Sequence, residues 1–302
     1  MKKTLVIGSA VVDMIIRVDH LPKTGEDVHI EKQSRSVGGC AYLVGNILRL
    51  FGIPTLQCTA IGGGIYGDYV YKAFLEKEIP VMAHLPEEEN GCCYCMVEAD
   101  GERTFIVDHG IEYSFHESYL EGTDPEEIDS VYVCGLELEE SCGDEILDYL
   151  EKQKDYTLYF APGPRIMKIG RERMERMLNL HPVLHLNAEE SMAYTNTKSP
   201  ELAVRVLYER TEAPVVITCG AEGSLCFDGT MYKAKSLKAE VQDTIGAGDS
   251  HIGTVIAARK LGCSYPEAIE LANRISSAVV SQIGGELTEE GFRKALKKTE
   301  SK

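Results

Sequence analysis

The sequence predicts an α/β protein: one mainly parallel sheet covered by helices on both faces, with a small second sheet attached. Three observations lead there. Short apolar runs alternate with amphipathic stretches along almost the whole chain, the pattern of parallel strands joined by helical crossovers. The runs are short, mainly apolar and rich in β-branched residues, as in strands buried on both faces,. Two segments, 14–37 and 91–108, interrupt the alternation with strand-like pieces and turn signals.

Taken in order, TLVIGSAVV, TLQCTAI, SVYVCGL, YTLYFA, PVLHLN and PVVITC read as buried strands. Between them YLVGNILRLFG, GDYVYKAFLEKE, CGDEILDYLEKQK and SPELAVRVLYER carry apolar residues at helical spacing,. The segment 91–108 reads as a hairpin turning at Asp100-Gly101, and 14–37 carries a turn at Lys23-Thr24-Gly25,. Together they form a small sheet of the kind that closes over a substrate. Residues 246–302 finish in helices with a Lys-rich tail expected to fray. With no linker, repeat or low-complexity tract, the 302 residues form a single domain,.

A net charge of −17 would repel a nucleic-acid backbone overall, so no nucleic-acid partner is expected,. The opening MKKTLVIGSAVVDMIIRVD is broken by Asp13, Arg17 and Asp19 and has no small-residue cleavage site, so it reads as a strand and not a leader,. No run reaches the roughly 18 apolar residues a membrane span needs. The expected location is cytoplasmic, with the ten cysteines reduced,. Cys92, Cys93 and Cys95 lack a second ligand pair at metal spacing and read as strand packing,.

The string Asp243-Thr244-Ile245-Gly246-Ala247-Gly248-Asp249-Ser250 precedes the helical pattern HIGTVIAARKLG. Small residues at a helix start let backbone N–H groups approach an anion, and the helix dipole adds partial positive charge. A carboxylate in that turn serves either as a dipole partner or as a general base beside a transferring phosphate.

The longer string resembles the DTxGAGD signature of the ribokinase-like (PfkB) carbohydrate kinases. Further matches follow in the expected order: Gly8 to Asp13, then Pro22, Gly25 and Glu26, then Gly38-Gly39 with ILRLFG. Gly101-Glu102-Arg103-Thr104-Phe105, Asn187 with Glu190, Thr218 to Gly223, and Ala272-Asn273 continue it. The resemblance implies a Rossmann-like three-layer α/β/α sandwich with a β-sheet lid. It also implies ATP and Mg2+, with transfer of the γ-phosphoryl group to a hydroxyl of a small carbohydrate. On it, Asp249 is the base and the amides of Gly246, Ala247 and Gly248 steady the developing charge. Asp13, Gly38, Gly39 and Arg103 bind the acceptor. Asn187, Thr218, Gly220, Gly223 and Asn273 bind the nucleotide, and Glu190 organises magnesium indirectly. Asp13 is expected just past a strand running from Leu5 to Val12, at the carboxyl edge of the sheet where ligands of open α/β folds bind. Apolar lid strands such as CCYCMV need cover, which a homodimer through the lid would give.

Some positions depart from the family. Leu43 stands where ribokinases carry Asn, and Gly64 where many members carry an acid, which brings the chain nearer the sugar-phosphate branch. His251 replaces an aromatic residue and Ala161 to Arg165 lacks the family's Asp and Asn. Three alternatives remain open at this point: a sugar-phosphate kinase, a nucleoside kinase, and a catalytically silent sensor of sugars or nucleosides. A dinucleotide-binding oxidoreductase is rejected, because the glycines at 62–67 lack G-x-G-x-x-G at the first strand-to-helix turn,.

Overall fold

The apolar runs become strands, but the first two break at a polar or glycine step, and those breaks build the site. In the computed structural model, which describes residues 1–99 and 102–297, TLVIGSAVV splits into β1 (Lys3–Ile7) and β2 (Val11–Arg17). The chain turns at Gly8, whose φ of +145 suits glycine and whose added Cβ would lie 2.9 Å from Ala41 and Glu137,. TLQCTAI splits in the same way around Thr59 into β4 (Thr55–Cys58) and β5 (Ala60–Gly63). The other strands are β3 (Lys32–Gly38), β6 (Ala83–Glu89), β7 (Cys92–Val97), β8 (Arg103–Asp108), β9 (Ile128–Cys134) and β10 (Thr157–Ala161). They continue with β11 (Val183–Asn187), β12 (Val215–Thr218), β13 (Ser224–Phe227) and β14 (Met231–Ala234). The helices are α1 (Cys40–Leu50), α2 (Gly64–Glu76), α3 (Gly135–Glu139), α4 (Gly143–Lys152) and α5 (Arg171–Asn179). Beyond them come α6 (Ala188–Thr195), α7 (Pro200–Thr211), α8 (Ala247–Lys260), α9 (Tyr265–Val279) and α10 (Glu289–Lys297).

The main sheet has the order β14-β13-β12-β11-β10-β9-β1-β4. All its neighbours are parallel except β12–β13 and β13–β14. Successive side chains of a strand face opposite layers. Leu5 and Ile7 therefore pack with Ile146, Leu147, Met177 and Leu207 of α4, α5 and α7. Val6 packs with Val44, Leu48, Val255 and Ile269 of α1, α8 and α9. This is a three-layer α/β/α sandwich. The pair β13 and β14, only four residues each, carries too short a pattern to stand out from the neighbouring loop.

A second sheet of order β3-β2-β7-β8 projects from the body. It joins both irregular segments and starts earlier than expected, at Val11. The Asp100-Gly101 turn and the Lys-rich tail from 298 lie outside the described residues, but β7 and β8 pair antiparallel from Cys92–Asp108 to Val97–Arg103. All ten cysteines are free. Among the described residues no helix is long and apolar enough to cross a membrane.

Candidate active site

The carboxyl ends of the parallel strands open into a crevice, as in other open α/β sheets. A cavity of about 460 Å³ lies there, bordered by Cys134 after β9, Ala161 after β10, Asn187 after β11 and Thr218 after β12. Val11, Asp13 and Cys93 of the second sheet face it from the opposite side. A second cavity of about 490 Å³ is bordered by Gly220, Gly223, Leu237, His251, Asn273 and Ser277. The two cavities share Thr218 and Gly248.

They meet at the start of α8. Its N-cap is Gly246, in the left-handed region at φ 74 and with no side-chain cap, so the first-turn amides have no partner from within the helix. A Cβ on Gly246 would lie 2.7 Å from Gly285 Cα, and glycine is required there on both counts. Gly248 differs. Its φ is unexceptional and an added Cβ would meet nothing within 4 Å. The protein itself does not demand glycine at 248, whereas an anion approaching the backbone would.

Asp249 follows on the first turn of α8 and borders the first cavity. Burial, and then the charge of Glu137, push it up to about 6, against a hydrogen bond from the Cys40 thiol,. Glu137, 1% exposed, accepts from Ser9 N at 2.8 Å and from the Cys134 thiol. The Gly8 break is thereby tied to the strand end that carries α3. Asp13 is corrected in place: it lies within β2, opposite Ser36 and Cys93, not past the end of a strand from Leu5 to Val12. Its carboxylate reaches the same cavity from the second sheet. Burial, then the charges of Asp249 and Asp243, push it up to about 7. Gly38 makes room for it, since an added Cβ would fall 1.8 Å from Asp13 Oδ2. Gly39, at φ +95, sits against Ser9 O and begins the turn into α1.

The remaining residues singled out from the sequence divide. Gly220, Gly223 and Asn273 border the second cavity, as does Thr218, which belongs to both. Asn187 and Glu190 border the first cavity only and form a capping box on α6, Asn187 Oδ1 accepting from Glu190 N at 2.8 Å and Glu190 Oε2 from Asn187 N at 3.0 Å,. Arg103 borders neither cavity. Its Nη1 donates to Asp243 Oδ1 at 2.6 Å, tying β8 to the loop before α8. Arg165 does border the first cavity, paired with Glu139 at 2.9 Å. The glycines at 62–63 serve packing: added Cβ atoms would strike Glu88 O and Pro86 O of β6.

The pfkB family carbohydrate kinase model matches residues 1–290. The chain belongs to the pfkB family of carbohydrate kinases. It is similar to the uncharacterized sugar kinase YegV of Escherichia coli, 29% identical over 290 residues, covering 94% of this chain and 90% of the other. It is also similar to a nucleoside kinase of Methanothermobacter thermautotrophicus, 23% identical, covering 93% of this chain and 90% of the relative. Among solved structures it resembles an Arabidopsis thaliana ribokinase complexed with ribose and ATP, with TM-score 0.78, 18% identity and coverage of 98% of this chain and 99% of the other. This kinase is a phosphotransferase whose acceptor is an alcohol.

Sequence reasoning missed several residues of the kinase's first cavity: Cys40, Cys134, Tyr132 and, beneath it, Glu137. The Tyr132 hydroxyl is buried without a hydrogen-bond partner. Cys134 ends a parallel strand and Glu137 lies in α3, the short helix directly after it, a position that in an open α/β sheet could have flagged both.

Proposed function

We propose that the chain transfers the γ-phosphoryl group of MgATP to a hydroxyl of a small neutral carbohydrate or nucleoside, with Asp249 as general base. The observation that carries this is the meeting of two cavities at Gly248, beside Asp249 and an uncapped helix N-terminus. The second cavity would hold the nucleotide, with Gly220 and Gly223 at its backbone wall. The first would hold the acceptor, with Asp13 accepting hydrogen bonds from hydroxyls.

A carboxyl held near 6 is ionised at neutral pH yet basic enough to act,. Asp249 would take the hydroxyl proton as the acceptor oxygen bonds to phosphorus. The amides around Gly248 would face the phosphoryl oxygens, where fixed donors are worth most in a water-poor site. The open space beside Gly248 would leave its backbone accessible to a phosphate. Among the described residues no three acids, histidines or cysteines are grouped to hold a metal. That fits magnesium, which keeps its waters and binds mainly through substrate phosphates. Glu190, facing the cavity, would orient those waters, while Mg2+ with ATP supplies the phosphoryl group and offsets its charge.

A neutral acceptor is favoured because Asp13, Asp249 and Glu190 already border the first cavity while Arg165 is committed to Glu139. A phosphorylated sugar would add a further anion to that set. Phe105, Val107, Tyr113 and Leu136 give the same cavity an apolar wall, which favours a nucleoside reading beside the simple-sugar one. ADP release measured with D-ribose, D-fructose, inosine, adenosine and fructose 1-phosphate tests this. Turnover of a neutral acceptor is expected; turnover of the sugar phosphate alone, or of none, would overturn it.

A further inference from the structure

A buried chain of three side chains crosses the wall between the two cavities. His185, on β11, borders the first cavity, and His251 and Asn273 border the second. His185 Nε2 lies 2.9 Å from His251 Nδ1, and His251 Nε2 lies 3.2 Å from Asn273 Oδ1. All three are buried, at 5, 2 and 6% exposure.

The direction of the chain follows from its far end. Asn273 Nδ2 faces two backbone carbonyls, donating to Ala234 O at 3.1 Å and Lys235 O at 3.3 Å. An amide nitrogen is the only end of that side chain that can face carbonyls, so Oδ1 is turned to the histidine. His251 must then carry its proton on Nε2 and present a bare Nδ1. A bare Nδ1 needs a donor, so His185 carries its proton on Nε2 as well. Burial keeps both rings neutral, pushing His251 down to about 4 and His185 well below the usual histidine range, so each ring carries a single proton and His251 Nδ1 stays bare. His185 is left with one uncommitted polar atom, the Nδ1 lone pair, in a residue that borders the acceptor cavity.

We propose that His185 is a specificity-determining residue: its Nδ1 accepts a hydrogen bond from a hydroxyl or N–H of the acceptor, and His251 with Asn273 hold it in that tautomer. This rests on the reading of the first cavity as the acceptor site. The acceptor must then bring a donor to His185, and an ether or methylated position there is rejected, because a site built to bond a donor discriminates strongly against its absence. His251, two residues beyond Asp249, acts through His185 and is a positioning residue.

The test combines ring 15N NMR with kinetics. In ligand-free protein labelled at histidine, with signals assigned by His185→Gln and His251→Phe, both rings should be protonated at Nε2 only. Inosine or D-ribose, whichever is phosphorylated, should move the His185 Nδ1 signal toward the protonated range. His185→Phe should raise the acceptor KM at least about tenfold with the ATP KM within about twofold. His251→Phe should leave His185 a mixture of tautomers and raise the acceptor KM by less. A proton on His185 Nδ1 in the ligand-free protein overturns the proposal without any variant. So does an Nδ1 signal unmoved by a bound acceptor, or an unchanged KM in His185→Phe. If no acceptor turns over, the kinase reading fails separately, and inosine titrated against the Nδ1 signal decides the recognition.

Discussion

Replacing Arg103 by Met should destabilise the protein by about 3 kcal/mol, because it strands a buried carboxylate. Asp243 Oδ1 accepts from Arg103 Nη1 at 2.6 Å and from Ile245 N at 2.8 Å, and Oδ2 accepts from Gly284 N at 2.9 Å. The Asp243 side chain is 4% exposed and that of Arg103 17%, so solvent does little to screen the pair. Removing one partner of a buried pair costs about 3–5 kcal/mol. The two amide bonds survive the substitution, which puts the loss at the lower end. A chain of 302 residues has an unfolding entropy of roughly 0.6 kcal/mol/K, so Tm should fall by about 5 °C. Calorimetry of wild type, Arg103→Met, Asp243→Asn and the double variant measures this directly. The singles should be strongly non-additive, since the second substitution removes the charge that the first leaves unpaired. A Tm loss below about 1 °C, or additive effects, would refute the reasoning. Because Gly284 precedes Gly285, which packs on Gly246, the same variant should also lower kcat.

Four further outcomes follow, three from the site and one from the edge of the second sheet. At pH 8, where its carboxyl is ionised, Asp13→Ala should raise the acceptor KM about tenfold with the ATP KM nearly unchanged, since charge-assisted hydrogen bonds to hydroxyls contribute roughly 1.5–3 kcal/mol each. The raised value of Asp13, about 7, means the folded protein holds its proton more tightly than the unfolded chain does, so its contribution to stability is full below pH ~4 and lost as pH rises through about 7. Urea unfolding should therefore find Asp13→Asn more stable than wild type at pH 8 and no more stable at pH 4. Gly248→Ala should keep the wild-type Tm, having open space for its methyl, while phosphoryl transfer falls at least about tenfold; a large Tm loss would show that glycine is there for the fold. The edge strand β8 exposes Phe105, Ile106 and Val107, so sedimentation should find a dimer of the 33.3 kDa chain that Ile106→Lys converts to monomer.

The parallel layers were legible because β-branched apolar runs and 3.6-residue periodicity carry that information locally. The start of α8 stood out as a candidate anion site because small residues there let backbone N–H groups approach an anion, although packing on Gly285 also asks for glycine at 246. What stayed hidden depends on distance in sequence. Arg103 reads as an acceptor ligand, but 140 positions separate it from Asp243, and nothing in either local pattern announces a pair. Asp13 reads from the sequence as lying just past a strand from Leu5 to Val12, yet the break at Gly8–Ala10 places it within β2 of the second sheet. His251 stands out only as a departure, and its meaning needs His185 and Asn273 beside it. Gly64 suggested an altered pocket and has open space around it at φ +73, whereas Gly62 and Gly63 beside it are accounted for by packing against β6.

The central claim is that Asp249 removes the acceptor proton, and single-turnover phosphoryl transfer in Asp249→Asn tests it most directly, with nucleotide and acceptor both saturating. A protonated base cannot act, so wild-type transfer should also decline as pH falls through about 6,. Asp249→Asn should lose at least about a hundredfold at pH 7.5, keep nucleotide affinity nearly unchanged, and show no remaining decline near pH 6. A variant that transfers phosphoryl at close to the wild-type rate, or that keeps the same pH profile, would contradict it.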